Sequence, residues 1–409
     1  MRGRNQMNKT NCCGCSACVS ICPKQCITMQ VDEEGFLYPW TVKEKCINCG
    51  LCDKVCMINH PMDSQSDRKG TAYACINISE EDRLRSSSGG IFPLLAKCIL
   101  AKGGKVYGAA FDEEWLVQHV DIGDVNNLSI LQGSKYMQSD KKQTFVQVKR
   151  DLDSGKEVLF SGTPCEVRGL KSFLQKEYEK LTCVDVVCHG VPSPLVWRKY
   201  IAYIEKLVGK PCDRESTPSH RSKTDGWSRY SVSIPFSHDT EYRKGHDIDL
   251  YMRTFLKDVI LRPSCYKCIC KPSTDISDIS LADFWGIEQV LPCFFDDKGT
   301  SLVIVNSKKG NELFKEIQDK MKWQQVEYQT AVKYNPAIYK SPQMPKNRKY
   351  FFEQFGNMDI ERLMHKVSDD SIKVKCIKMV KAGMVKLGIY KIWRMYKNRK
   401  NKNVNKNFI

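Results

Sequence analysis

Eight cysteines in two short runs constrain this chain more than any other feature. Cys12, Cys15, Cys18 and Cys22 follow the spacing C-x2-C-x2-C-x3-C, with Pro23 next, and Cys46, Cys49, Cys52 and Cys56 repeat it 34 positions later. Thiolates are soft ligands, and four of them suit a cubane of iron and sulfide. In this spacing three close cysteines serve one 4Fe–4S cube and the displaced fourth reaches the other. Cys22 is therefore expected to complete the second cluster and Cys56 the first. Zinc knots are the alternative reading, but structural zinc draws its ligands from two separated pairs, which a duplicated triplet-plus-one fits poorly. Cys13 rivals Cys12 as first ligand, yet only Cys12 has the register; Cys26 and Cys75 read as ordinary buried thiols.

The chain carries 21 cysteines in 409 residues, a density that in an exported protein would suggest disulfides. The opening residues lack the apolar core of a signal peptide, and no run reaches the ~18 uncharged apolar residues of a membrane span. The expected compartment is the cytoplasm, where C-x-x-C pairs are metal ligands rather than cross-links. The formal charge of +17 is unevenly spread: the segment from Lys373 to the end holds twelve Lys or Arg and no acid. In it Val374, Ile377, Met384, Leu387 and Trp393 can share one apolar stripe opposite lysines, the pattern of an interfacial helix on anionic lipid. A packed helix with a frayed basic end is the alternative. No recognition fold accompanies the charge, so nucleic acid is not an expected partner.

The texture divides the chain into a cysteine-rich unit over residues 1–60, a polar linker over 61–70, a larger body over 71–335 and a helical basic extension over 336–409. In the body, strand-like runs ("AYACI", "KVYGAAF", "EVLF", "TCVDVV", "TSLVIV") alternate with helix-like ones, which predicts an α/β domain after an α+β cysteine module. Asp213–Asp247 is polar and reads as a partly β insertion. Asp249–Leu261 and Lys309 to about Lys322 read as helices.

Five motifs then occur in order: "SSSGGIF", "GSKYMQS", "FSGTPCEVRGL", "DVVCHGVPSP" and "CYKC" with "SDISLADFWG". Together with the ferredoxin-like pair of cysteine runs, they resemble the beta subunit of the coenzyme F420 hydrogenase and dehydrogenase family, from about Asn8 to Leu291. The resemblance implies a flavoprotein, with FAD or FMN, that passes electrons between iron–sulfur clusters and a hydride carrier or organic substrate. Bacterial members with a basic extra tail often look like parts of surface-polysaccharide pathways. It also implies flavin-pocket residues at Ser88, Gly89, Gly90, Lys135, Tyr136, Thr163 and Pro164, and a third 4Fe–4S cluster on Cys165, Cys188, Cys265 and Cys268. Two single cysteines plus a C-x-x-C also make a plausible zinc set, and Cys270 is a substitute ligand. His189 reads as a loop residue. Asp275 stands where relatives commonly carry arginine and Ala282 where glycine is usual. An acid near the pocket disfavours a polyanionic ligand, so the deazaflavin coenzyme F420 is less expected than a flavin.

Independently of the resemblance, "SSSGG" before an apolar helix offers amides and hydroxyls at a helix N-terminus, a site suited to phosphate. Clusters handle single electrons and a flavin handles one or two, so the expected activity is an iron–sulfur flavoprotein oxidoreductase served by ferredoxin or another redox protein. The alternatives are a non-catalytic electron-transfer subunit and a cluster- or zinc-stabilised scaffold. No catalytic residue is assigned.

Overall fold

A computed structural model describes residues 8–60, 70–237, 240–271 and 276–369. Residues 61–69 of the linker, Asp275 and the basic stripe from Val374 to Trp393 lie outside the described residues. Among those described, the larger body is built on a nine-stranded mixed sheet. Its order is Met321–Val326, Thr71–Asn77, Ser301–Val305, Ile279–Asp283, Leu181–Val186, Val158–Gly162, Lys105–Phe111, Val117–Ile122 and Ser139–Asp140. The four strands from Ile279–Asp283 to Lys105–Phe111 run parallel. They are near-continuous apolar runs because both faces are covered. Along Val158–Gly162, Leu159 joins the apolar cluster of helices Ile91–Ala101 and Lys308–Glu316, while Val158 and Phe160 join that of Thr144–Asp153 and Pro164–Leu174. Alternate side chains leave a strand on opposite faces, so helices cover both sides.

Two expectations change. The helix expected to run to Lys322 ends at Glu316, and Met321–Val326 becomes an edge strand antiparallel to Thr71–Asn77. There Trp323 packs edge-on against Tyr73 at 5.8 Å, and cross-strand pairing outweighs local helix preference. The helix read over Asp249–Leu261 stops at Leu256, capped by Asp249. Asp258 then takes a left-handed φ of 63° and redirects the chain toward Arg262. The polar insertion holds a three-stranded antiparallel sheet of Ser219–Ser222, Ser231–Phe236 and Thr240–Gly245.

The N-terminal unit is a hairpin of Ile27–Val31 and Leu37–Thr41 flanked by the two cysteine runs. Its turn forms because Asp32 Oδ1 accepts from Glu34 N and Phe36 N and Gly35 takes φ 87°. The hairpin docks on the body: Arg348 pairs with Glu34 (Nη1–Oε1 2.9 Å), Ser193 Oγ donates to Glu34 O at 2.5 Å, and Leu37 N donates to Gln138 Oε1 at 2.8 Å. No described helix is long and apolar enough to cross a membrane.

Candidate cluster and flavin sites

The two cysteine runs repeat a backbone conformation as well as a spacing. Gly14 (φ 72°) and Ser16 (φ 67°) of the first run correspond to Asn48 (φ 52°) and Gly50 (φ 72°) of the second. Left-handed residues at these positions, which Gly, Asn and Ser tolerate best, curl each run so that its thiols surround a space. A cavity of about 20 Å³ is lined by Cys12, Cys15, Cys18 and Cys56, together with Cys13. A second, of about 70 Å³, is lined by Cys22, Cys46, Cys49 and Cys52, together with Cys26. Each cavity thus takes three thiols from one run and the fourth from the other. Cys26 is more than a core thiol, since its sulfur lies 3.3 Å from that of Cys22 in the cavity wall. Cys75 is fully buried in the sheet.

A third cavity, of about 120 Å³, opens at the carboxyl ends of the parallel strands and is lined by Cys165, Cys188, Cys265 and Cys268. Strand ends of this kind are where open α/β sheets hold ligands. Cys165 sits in the first turn of helix Pro164–Leu174, which Thr163 and Glu166 hold by a reciprocal capping box. Cys188 follows the strand Leu181–Val186, and Cys265 lies in a short 3-10 turn, Pro263–Lys267. Two more thiols, Cys13 and Cys270, share the wall. Cys13 is the one residue that lines both this cavity and the Cys12 cavity. Burial pushes the Cys265 thiol up to about 12, whereas a hydrogen bond from Cys270 brings Cys268 down to about 6. His189 is paired with Asp258 at 2.5 Å and also lines the cavity. Its deeper wall is polar: Asp185, which burial raises to about 6, with Ser280 and Asn306. The Asn306 Oδ1 and Ser264 Oγ atoms are buried without a partner.

The sulfurs surround volumes instead of meeting at a point. Among the described residues no three His, Cys, Asp or Glu side chains are placed to hold one ion jointly. A four-thiol ring about a cavity fits a cubane, whose irons each take one thiolate at a corner.

The flavin candidates separate into two groups. Thr163 and Pro164 line the thiol cavity. Ser88, Gly89 and Gly90 belong with Lys135 and Tyr136, because Ser87 Oγ accepts from Ser134 N (2.7 Å) and Ser134 Oγ (2.8 Å) and so joins their loops. The amide expected to greet phosphate is already used, since Gly89 N donates to Ser301 Oγ at 2.9 Å. Glycine is required there: a Cβ would stand 2.4 Å from Cys75 O and 2.6 Å from Ser301 N. What the motif supplies is thus a tightly packed wall more than free amides.

Sequence reasoning missed the neighbouring cations. His220 and Arg221, on the insertion strand Ser219–Ser222, point inward. His220 Nδ1 accepts from Tyr136 N at 3.2 Å, and Arg221 pairs with Asp283, whose other oxygen accepts from Trp227 Nε1 at 2.8 Å. Arg221 Nε and Nη2 and His220 Nε2 are buried without hydrogen-bond partners. Lys223 donates to Ser88 O at 2.9 Å, and burial lowers its ammonium to about 7. Unspent buried donors beside two loops mark a place built for a polar or anionic group. The available signal was a His-Arg pair within a strand, and the polarity of the surrounding insertion hid it.

Residues 155–330 match the family described as coenzyme F420 hydrogenase/dehydrogenase, C terminus of the beta subunit. The chain is similar to a coenzyme F420-dependent sulfite reductase of Methanocaldococcus jannaschii, 23% identical over 305 residues, covering 74% of this chain and 45% of that protein. It therefore spans less than half the length of this curated relative. Among solved structures it is similar to a chain of the F420-reducing NiFe hydrogenase complex from Methanosarcina barkeri, with TM-score 0.45 and 16% identity, covering 70% of this chain and 92% of that one.

Proposed function

Since this chain belongs, through residues 155–330, to the coenzyme F420 hydrogenase/dehydrogenase beta subunit family, we propose that it is an iron–sulfur flavoprotein oxidoreductase. The observation that carries this reading is the grouping of thiols: fifteen cysteines from separate segments line three cavities, the twelve expected ligands falling four to each, and Cys13 joins the first to the third. In it, Cys12, Cys15, Cys18 and Cys56 hold one cluster, Cys22, Cys46, Cys49 and Cys52 a second, and Cys165, Cys188, Cys265 and Cys268 a third. When bound, clusters carry electrons singly and a flavin exchanges them singly or in pairs with an organic substrate or hydride carrier.

The chain's own residues supply position, charge and exclusion of water. The second cavity faces outward: Cys49 is exposed, Lys24 and Asp53 line the wall, and Lys43, Lys45 and Lys54 are exposed in the adjoining chain with Glu44, a balance of four lysines to two acids. A basic rim suits docking of an acidic one-electron carrier such as a ferredoxin. The third cavity is walled by Thr163, Val191 and Ile304, and lies toward the parallel strand ends. The Lys135, Tyr136, His220 and Arg221 cluster supplies donors for the phosphate and ring edge of FMN or FAD.

The direct test is anaerobic purification with iron, sulfide, zinc and flavin quantified in one preparation. Inorganic sulfide and a yellow chromophore are expected together; colourless protein with neither would end this reading. A second measurement uses pH. Burial lowers Lys135 to about 7, although part of its side chain reaches solvent. An anionic flavin phosphate raises that value, so binding takes up a proton wherever the pH exceeds the free value. FAD affinity of flavin-stripped protein, whose diphosphate stays ionised across the range, should be level below about pH 7 and fall above it. Lys223 titrates in the same range and shares the slope. Lys135→Met should make it shallower, and an unchanged profile would remove Lys135 from the pocket.

A further inference from the structure

Arg262 belongs to the segment that delivers Cys265 and Cys268, yet its side chain leaves the body and enters the N-terminal unit. It is 1% exposed. Its Nε donates to Cys12 O at 2.8 Å and its Nη2 to Leu37 O at 3.0 Å, and the guanidinium lies 3.9 Å from the Tyr38 ring centroid. A Cβ on Gly14 would stand 3.2 Å from Arg262 Cζ, so the first cysteine run packs directly on this group. Arg262 also lines the cavity ringed by Cys165, Cys188, Cys265 and Cys268. It is a buried wedge between two thiol sites.

Its hydrogen bonds are incomplete. Both acceptors are neutral carbonyls, and Nη1 is buried without a partner. Among the described residues no carboxylate forms an ion pair with Arg262. Arginine remains charged in proteins, and an uncompensated buried cation is costly. The neighbours able to balance it are thiolate sites on either side: Cys12 with its cavity, and Cys265 with its own. Metal sites bearing four thiolates are negative overall, and the charge of such a centre belongs in any local balance.

We infer that Arg262 is a positioning residue that holds a fixed positive charge between the Cys12 and Cys265 sites and raises the reduction potential of both. The inference rests on the cluster reading above. Each site becomes more negative by one charge when it accepts an electron from an external reductant. A cation held in a poorly screened interior favours that reduced form most where it is nearest. The site of Cys22, Cys46, Cys49 and Cys52 has no Arg262 in its wall, and provides an internal control.

The test is an anaerobic redox titration of the full-length holoprotein, followed by electron paramagnetic resonance, with iron and sulfide measured on each sample. Arg262→Gln removes the charge; Arg262→Lys keeps it while losing the paired contacts to Cys12 O and Leu37 O. The expected result is a negative shift of two midpoints in R262Q with the third unchanged, and near-native values in R262K. Unshifted potentials in R262Q overturn the inference, as does an R262K shift as large as that of R262Q, which would make the role one of packing. If R262Q does not retain its iron, Arg262→Met, which keeps the length of the stem without the charge, takes its place: two lowered midpoints support the charge, unshifted ones overturn it. Wild-type protein without inorganic sulfide would sink the cluster reading and this inference together, whereas sulfide with unshifted potentials removes only the inference.

Discussion

Replacing Cys188 with serine is expected to remove about a third of the iron and sulfide from anaerobically purified protein, and to leave the remainder bound. Cys188 is delivered by a strand end, and its thiol shares a cavity with Cys165, Cys265 and Cys268 but with none of Cys18, Cys22, Cys46, Cys49, Cys52 or Cys56. A hydroxyl is a harder and poorer ligand for cluster iron than a thiolate, so one corner is lost. The N-terminal sites take none of their four expected ligands from this cavity and should persist. Cys268→Ser should be milder, because Cys270 lies within hydrogen-bonding reach of Cys268 and can take its place; the double variant should match Cys188→Ser. Metal and sulfide analysis also separates the zinc alternative, in which zinc falls and sulfide does not. Full iron and sulfide retained in Cys188→Ser would refute a cluster at this cavity.

Glu166→Ala should cost about 3–5 kcal/mol, the usual penalty for breaking a buried pair from one side. Glu166 lies beneath the turn that carries Thr163, Pro164 and Cys165. It pairs with Lys141, which is 2% exposed, and its Oε2 accepts from Thr163 N at 2.8 Å. His119 Nε2 lies 3.9 Å away. Truncation strands a buried ammonium whose remaining acceptor is Ser139 O at 2.7 Å, and frees the cap. A fall in Tm of roughly 10 °C should be seen by calorimetry. Lys141→Met in the same protein should recover much of it, since removing both partners leaves no orphaned charge. Burial alone would raise the carboxyl, but Lys141 outweighs it and holds Glu166 at about 2, below its usual 4.5. A depressed carboxyl stabilises above its unfolded value and loses that contribution as pH falls toward the folded one. The gap between wild type and variant should therefore be constant above about pH 4.5 and close toward about pH 2. Equal stability of the two proteins at neutral pH would refute the assignment.

Much of the thiol arrangement is legible in the chain because the N-terminal ligands are local. Four cysteines within eleven positions, with left-handed residues at Gly14 and Ser16 or Asn48 and Gly50, have few ways to turn except around a common space. The parallel strands were legible too, as short apolar runs such as "VLFSG" bounded by glycine and polar residues. Met321–Val326 was not, since an edge strand with one face open to water has little pattern of its own, and its pairing with Thr71–Asn77 spans about 250 positions. The cations of the flavin-side cluster were hidden likewise. His220 and Arg221 sit in a polar insertion where inward and outward side chains look alike, and only the packing of Tyr136, Tyr230 and Trp285 around them shows which way they point.

What the sequence by itself determined is the chemistry of the ligands and the local turns that present them, because thiol identity, spacing and permitted φ are properties of a few adjacent residues. Which centres stand next to one another is a different matter. Cys13 between two cavities, Arg262 reaching from one unit into another and Lys141 beneath the Thr163 turn all depend on contacts between distant segments. Such contacts are selected by burial and by the need to satisfy buried charge, which no short stretch of chain encodes, so only the tertiary structure decided them.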